Sequence, residues 1–475
     1  MIKGNNSSNG KFKNHLVILL EILLVAFAGL SSYLLHVLFD SFNAIETIDD
    51  SIFRIVINVS LVALMVSLCN LSVGLYDPKL RASQRDIVRR LFVSVAISYF
   101  VIELFVFYIF KGLPLAASFL PVTIAIALLF LIIFRVFLPD ISLSLFAKPK
   151  VLILGAGERA SIIEKRMRRD SDRKGFELVG FVNTKGDKEG IRKEKIITID
   201  YQHELFNYVQ QHDISEIVIA SDERRNDVPV EQLFNCKMSG VYISDILDFI
   251  ERETGQIAVN LIYPSWFIYS NGFESNNYLR NSLDYVLNAV LAVVVFIFTW
   301  PLMIFAAIAI MLEDGYRLKA PVLYRQQRVG LDGNLFNILK FRSMSPDAEK
   351  NGAEWSQKGD SRITKVGGFI RKYRIDELPQ LFNVIKGEMG FVGPRPERPE
   401  FVKELAQSIP YYNHRHNVKP GLTGWAQLKY PYGASFNDSF EKVKFDLYYI
   451  KHQSILLDLL ILIRTVEVVL FGKGR

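Results

Sequence analysis

The chain has 475 residues, room for two or three domains, and 50% of them are hydrophobic, with a mean hydropathy of +0.21 that lies above the usual soluble balance. Its formal charge of +7 and isoelectric point near 9.1 fit anionic lipid headgroups or phosphorylated ligands as well as nucleic acid. The two cysteines, Cys69 in an apolar run and Cys236 in a polar region far away, exclude a disulfide framework and a cysteine metal cluster.

Four apolar stretches, 16–39, 52–76, 91–110 and 116–138, are long enough to cross a bilayer at about 1.5 Å per helical residue. They are read as a four-helix transmembrane bundle within a domain over 1–145. Lys3, Lys11 and Lys13 precede the first stretch, Glu46, Asp49 and Asp50 follow it, and Lys79, Arg81, Arg85, Arg89 and Arg90 precede the third. That bias places the N-terminus and everything from residue 150 onward in the cytoplasm. The first stretch is too long for a cleaved leader and lacks a small-residue cleavage site, so it is expected to stay as an anchor. Glu21, Glu103 and Arg135 fall inside these helices; Glu21 and Arg135 are expected near the cytoplasmic ends, snorkelling or pairing with each other.

From Lys150 the period changes. Short β-branched runs at 151–154, 178–182 and 216–220 alternate with polar helical stretches such as 161–169, which predicts a small Rossmann-like α/β domain with a parallel sheet over 146–265. Its first turn reads Gly155-Ala156-Gly157-Glu158-Arg159-Ala160. Such a turn either cradles a pyrophosphate or lets the first helix pack close against the first strand. Ala160 stands at the third glycine position, Asn183 stands where a ribose-binding carboxylate is wanted, and no Tyr-x-x-x-Lys occurs in the chain. The expectation is therefore a structural or regulatory domain without a bound cofactor, and not an NAD-dependent nucleotide-sugar modifier.

A fifth apolar stretch, 286–312, is interrupted by Pro301 and flanked by Arg280 on one side and Arg317 and Lys319 on the other. A straight span would put the rest of the chain outside, and the flanking charge favours neither side. A re-entrant helix over about 283–312, bent at Trp300-Pro301 and returning to the cytoplasmic face, satisfies both observations, with polar partners expected at the bend. The last apolar segment, 455–471, carries Asp458, Arg464 and Glu467, which suits an amphipathic helix lying at the interface or packing on a core.

Between Arg317 and Arg374 there are 13 Lys or Arg against 5 Asp or Glu. Membrane adhesion explains a basic surface. The interleaving of cations with glycines, prolines and aromatics, as in Gln326-Gln327-Arg328-Val329-Gly330 and Lys340-Phe341-Arg342-Ser343-Met344, points more sharply to a site for several phosphates. Asp376-Glu377 follows, with Arg371, Lys372 and Arg374 just before it; these cations are expected to keep both carboxylates ionised, ready to bind Mg²⁺ or attack phosphorus. His414 and His416 lack a third metal ligand nearby and are read as solvated or headgroup-facing. Trp425 and Tyr430-Pro431-Tyr432 either stack on a base or sugar or anchor at the interface.

The ordered motifs from Ala320-Pro321-Val322-Leu323-Tyr324-Arg325-Gln326-Gln327-Arg328-Val329-Gly330, through Asp376-Glu377-Leu378-Pro379-Gln380 and Gly393-Pro394-Arg395-Pro396, to Lys419-Pro420-Gly421-Leu422-Thr423-Gly424-Trp425-Ala426-Gln427 resemble the bacterial sugar transferases, the polyprenyl-phosphate hexose-1-phosphate transferases that initiate exopolysaccharide and O-antigen synthesis. The resemblance runs from about Arg280 to the C-terminus and implies a mainly α catalytic domain over 278–475, inserted through a re-entrant membrane helix. It also implies that Asp376 attacks the β-phosphorus of a UDP-sugar and expels UMP, after which undecaprenyl phosphate takes the phosphosugar. Glu377 would hold Mg²⁺. Lys340, Arg371 and Arg395 would orient and neutralise the phosphates, with Arg342 and Pro396 completing the substrate-binding set. The donor leans toward glucose or galactose, nucleic acid is not an expected partner, and the front domains leave surface for a homodimer. Localisation follows as multi-pass in the bacterial inner membrane. Two positions depart from the family: Trp300 precedes the proline where Ser is common, and Arg374 replaces a small polar residue. A membrane scaffold or sensor in a polysaccharide assembly complex is the non-enzymatic alternative.

Overall fold

The computed structural model describes residues 6–39, 48–73, 75, 84–108, 119–137, 149–166, 176–188, 190–222, 228–262, 264–270, 272–273, 278–315, 320–348, 360–430, 433 and 435–470. The chain divides into two compact units, Met1–Phe249 and Ile250–Arg475.

The first unit opens with helices α1 (Asn6–Phe39), α2 (Ile48–Ser72), α3 (Gln84–Tyr108) and α4 (Phe119–Ile132), the last ending in a π-helical turn, Ile133–Phe137. Contacts run between α1 and α2, α2 and α3, α3 and α4, and α4 and α1. Val25, Ala28, Val62, Val66, Leu91, Ile102, Ala127 and Leu131 fill the space between them, while Leu19, Leu23, Phe27 and Leu34 face outward. Helices apolar on both sides are those of a buried core or a membrane. Two described helices are long and apolar enough to cross a bilayer, over Ile18–Leu35 and Asn281–Glu313; Val56–Leu71 and Leu120–Val136 are shorter apolar stretches. Glu21 and Arg135 do form an ion pair. They do so inside the helix cluster rather than by snorkelling, since Glu21 is fully buried. Arg135 also donates to the Leu75 carbonyl at 3.0 Å, Asn70 reaches Glu21 at 3.4 Å, and Ser94 donates to Asn70 at 2.6 Å, so the charge pair is embedded in a hydrogen-bonded chain.

The α/β part of this unit is a parallel sheet of order β3-β2-β1-β4-β5. Its strands are β1 (Lys150–Leu154), β2 (Glu177–Val182), β3 (Ile196–Ile197), β4 (Glu216–Ile219) and β5 (Tyr242–Asp245). The intervening helices are α5 (Glu158–Arg166), α6 (Leu205–Gln211) and α7 (Val230–Met238), and α8 (Ile246–Thr254) follows β5. Val151, Leu152, Ile153 and Leu154 are all buried because a central parallel strand has both faces covered. The three β-branched runs of the sequence are β1, β2 and β4; β3 is too short and β5 too polar to show in a hydrophobic pattern.

The second unit contains the short α9 (Pro264–Tyr269) and then the long α10 (Tyr278–Ile310), followed by a π-helical turn at Met311–Gly315. Next come the hairpin β6 (Leu323–Val329) and β7 (Leu335–Phe341), α11 (Lys365–Lys372), a 3-10 turn at Ile375–Gln380, and α12 (Leu381–Ile385). A short strand β8 (Gly390–Val392), α13 (Pro399–Ser408), a 3-10 turn at Tyr412–Asn417, and β9 (Gly421–Thr423), parallel to β8, lead to α14 (Trp425–Lys429), α15 (Phe436–Lys451) and α16 (Ile455–Leu470). The start of α15 is set by a capping box, Ser435 with Asp438. Its buried face joins Tyr412, Trp425, Tyr449 and Ile461 in one core that also takes in Ile257 and Val259. Ile461 places α16 on that core.

Helix α10 continues through Pro301. Before the proline, Ala292, Val295 and Phe296 pack on Ile338, Leu381, Val384 and Met389; after it, Met303, Ala306, Ala307 and Ile310 pack on Phe341, Ile370 and Ile375. The other face of α10 is apolar and exposed along its length, with Val290, Val293, Ile297, Phe298, Trp300, Ile304, Phe305 and Ile308 all uncovered. The Thr299 hydroxyl donates to the Val295 carbonyl at 2.8 Å, a back-bond of the kind that bends helices.

Candidate active site

Asp376 and Glu377 sit on the 3-10 turn between α11 and α12. Thr364 caps the start of α11 by accepting from Gly367 N–H, and the helix ends with Arg371 and Lys372. Arg374 then takes a left-handed conformation, φ 55° and ψ 23°, and begins the turn that carries the two carboxylates. A non-glycine residue is uncommon there; Arg374 also donates its Nη1 to Glu377 Oε2 at 3.3 Å.

Glu377 is the hub of the cluster. Arg395 Nη2 donates to Oε1 at 3.0 Å and Lys340 Nζ lies 3.8 Å from the same oxygen. Burial alone would raise its pKa, but Arg395, Lys340 and Arg374 outweigh burial and hold the carboxyl down to about 2. Asp376, 9% exposed, goes the other way. Burial and the Glu377 charge push it up to about 6, against the pull of Lys340, Arg371 and Arg395. Burial and Arg395 push Lys340 down to about 8, against the pull of Glu377. Two adjacent carboxylates thus differ in their hold on a proton, as acid–base partners at reactive sites do.

The surrounding elements fix these groups. Lys340 lies near the end of β7, whose free edge is satisfied by a side chain: Asn383 accepts from Leu339 N–H at 3.1 Å and donates to the Asn337 carbonyl at 2.8 Å. Asn383 thereby does what a neighbouring strand would do, and ties β7 to α12. Arg395 belongs to the loop after β8, where Gly393 lies so close to the start of β9 that a Cβ on it would meet the Lys419 carbonyl oxygen at 2.3 Å. Arg415 holds that loop from beneath, donating to the Arg395 carbonyl at 2.9 Å and to the Tyr412 hydroxyl at 2.8 Å while pairing with buried Asp446 at 2.9 Å.

Among the described residues no group of three His, Cys, Asp or Glu side chains converges as a metal site, so the donor set here is the two carboxylates. A hard divalent ion held by one or two carboxylates takes its remaining ligands from water and phosphate. Asp376 and Glu377 are the side chains here that could supply such a ligand.

Residues 279–472 match the family model of the bacterial sugar transferases. Over that segment the chain is similar to the members of that family. Among its relatives is the UDP-N-acetylgalactosamine-undecaprenyl-phosphate N-acetylgalactosaminephosphotransferase of Aeromonas hydrophila, 38% identical over 54% of this chain and 59% of that protein. A UDP-glucose:undecaprenyl-phosphate glucose-1-phosphate transferase of Xanthomonas campestris pv. campestris is 30% identical over 63% of this chain and 62% of its own length. An undecaprenyl-phosphate galactose phosphotransferase of Salmonella typhimurium is 28% identical over 69% of each. The chain spans about three fifths of the first two relatives. Residues 72–226 match a CoA-binding domain.

Within the transferase segment, the structure gathers Lys340, Asp376, Glu377 and Arg395, with Arg374 added and Arg371 close enough to bear on Asp376. Arg342 is tied elsewhere: it is buried, its Nε donates to the Pro321 carbonyl at 2.9 Å and its N–H to Val322 at 2.8 Å. Pro396 is buried and its carbonyl accepts from Arg328 at 3.2 Å. Trp425 is neither a stacking platform nor an interfacial anchor. It is buried, donates to the Gly255 carbonyl at 2.7 Å and stacks on Tyr448. Tyr430 donates to Asp438 at 2.9 Å; Pro431 and Tyr432 lie outside the described residues. His414 is exposed, whereas His416 is half-buried, and burial with Arg415 pushes it down to about 4. Asn383, Arg415 and Asp446 escaped the sequence reading, because a buried polar residue looks like a solvated one until its partners are placed.

Proposed function

We propose that this chain transfers a hexose-1-phosphate from a UDP-sugar to undecaprenyl phosphate, starting an exopolysaccharide or O-antigen chain. The observation that carries the reading is the buried Asp376 carboxylate beside a Glu377 held by three cations, inside the segment that matches the sugar transferases. The names of the relatives, with N-acetylgalactosamine, glucose and galactose as the sugars, support the substrate classes.

In the first half-reaction an Asp376 oxygen bonds to the β-phosphorus, the bridging P–O bond breaks, and UMP leaves with its electron pair. A phosphate oxygen of undecaprenyl phosphate then attacks the same phosphorus, and breaking the bond to Asp376 restores the carboxylate. Both nucleophiles attack as anions, so neither step needs a general base, and the work left to the protein is positioning and charge neutralisation. Arg395, Lys340 and Arg371 supply the positive charge around Asp376. Glu377 would hold Mg²⁺, which when bound draws charge from the diphosphate and the leaving group.

Helix α10 is the re-entrant membrane element of this reading. Its two docked arms, its long exposed apolar face, Pro301 and the Thr299 back-bond support a helix that dips into the bilayer and returns. The front helices α1–α4 complete a multi-pass anchor, and the active site then meets a soluble donor and a lipid acceptor at one surface. UMP release from UDP-sugars, with and without undecaprenyl phosphate, tests the chemistry. Robust turnover by Asp376→Asn refutes the covalent route. Cysteine labelling beyond residue 320 tests the helix, and outward-only labelling rules out the dip.

A further inference from the structure

In a domain of this architecture a nucleotide's phosphates settle on the glycine turn at the start of α5, and the match to a CoA-binding domain makes such a ligand the default expectation. Three donors of that turn are already engaged. Ala156 N–H donates to Asp187 Oδ2 at 2.8 Å, Glu158 N–H to Asp222 Oδ2 at 2.9 Å, and Arg159 N–H to Asp222 Oδ1 at 2.9 Å. The two carboxylates are themselves fixed. Asp187 accepts from the Thr184 N–H and hydroxyl at 2.9 and 2.8 Å, and from the Asp222 N–H at 3.0 Å.

The space is taken as well as the donors. A Cβ on Gly157 would lie 2.0 Å from Asp222 Oδ2, and one on Gly190 would lie 2.4 Å from the Gly157 carbonyl oxygen. The chain after β2 therefore lies directly on the turn. Asp187 follows β2 and Asp222 follows β4, the strands on either side of β1. Together they close the crevice at the carboxyl ends of these strands, where ligands of open α/β sheets bind.

We infer that Asp222 and Asp187 are a built-in substitute for a nucleotide's phosphates, and that this glycine turn holds neither CoA nor any other nucleoside diphosphate. The turn acts as a clasp joining the ends of β2 and β4 to α5. An incoming diphosphate would have to displace two seated carboxylates and meet their like charge. The clasp also explains why a carboxylate is missing at Asn183: with no ribose to bind there is no hydroxyl for it to accept.

The test uses the full-length protein in detergent, titrated calorimetrically with CoA, NAD⁺ and inorganic pyrophosphate, with amide exchange followed over 155–160. The wild type is expected to show no change in exchange over 155–160 up to about 1 mM of any of the three, whatever heat the cations around Glu377 contribute. In Asp222→Ala, the Glu158 and Arg159 amides should exchange about five-fold faster, the scale of a lost side-chain cap, and pyrophosphate should slow them again. Asp222→Asn keeps the shape but gives up one acceptor oxygen, so it should release one of the two amides even where the alanine variant folds poorly. Micromolar CoA binding by the wild type with protection of 155–160 overturns the inference. So does wild-type exchange at both amides in Asp222→Asn, or an opened turn that pyrophosphate leaves unprotected.

Discussion

Burial and the neighbouring Glu377 charge push the Asp376 carboxyl up to about 6, so the rate should fall with acid well before an ordinary aspartate would let it. Only the ionised carboxylate can attack phosphorus. A group of that value is about 90% ionised at pH near 7 and about 10% ionised at pH near 5, which predicts roughly a ten-fold loss of kcat/KM for UMP release over the interval. An aspartate at its ordinary 3.8 would lose roughly a tenth of its activity or less. Glu377, held down to about 2 by Arg395, Lys340 and Arg374 against burial, keeps its charge throughout, so the cation cluster survives the acid. On the alkaline side Lys340, pushed down to about 8 by burial and Arg395, loses its proton and one phosphate-neutralising charge with it. The profile should be a bell with limbs near these two values, measured as UMP release at constant ionic strength with thermal unfolding followed in parallel. A rate that stays flat down to pH near 5 in a protein that remains folded refutes the raised pKa of Asp376.

Asp376→Asn should abolish UMP release and also stabilise the protein. Because the folded-state pKa is raised, the fold disfavours the ionised form; that penalty is full above pH near 6 and fades as the pH falls toward 3.8, so the gain, on the order of 2 kcal/mol, belongs to neutral pH and shrinks in acid, as melting curves at the two pH values would show. Arg415→Met strands the buried Asp446 carboxylate and frees the Arg395 carbonyl, and should cost roughly 3–5 kcal/mol in denaturant unfolding. Adding Asp446→Leu should recover much of that stability but not the KM for the UDP-sugar, because the Arg395 loop stays loose. Asn383→Leu leaves Leu339 N–H and the Asn337 carbonyl without their side-chain partner; about 1–3 kcal/mol of stability should go with it, and unchanged unfolding would remove Asn383 from the frame of the site.

The carboxylate pair was legible because charge is dense in sequence around it: Arg371, Lys372 and Arg374 stand within five residues of Asp376. Lys340 and Arg395 were legible only through ordered motifs, since nothing in local pattern says that β7 and the loop after β8 converge on one carboxylate. Adjacent residues also misled. Arg342 shares a motif with Lys340, yet it lies just past the end of β7 at Phe341 and is bound to the Pro321 and Val322 carbonyls instead. The expectation that nearby cations simply keep both carboxylates ionised missed the opposed shifts, which need burial and mutual repulsion to be known. In the sheet, β1, β2 and β4 announced themselves by their β-branched runs, whereas the aspartates on the glycine turn did not. Asp222 lies 64 residues from Glu158, and only the fold brings them together.

Helix α10 shares its apolar side chains with the elements that carry the site: Ala292 lies in one cluster with Leu381 and Val384, and Ala306 in another with Phe341 and Ile375. What looks like a tether is therefore also part of the interior on which β7 and the turn of Asp376 rest. Maturation of the site must wait for this helix to dock, so competence follows the placing of an apolar helix and cannot precede it. A truncation that begins after Gly315, made to obtain a detergent-free enzyme, would yield a protein missing part of its own core.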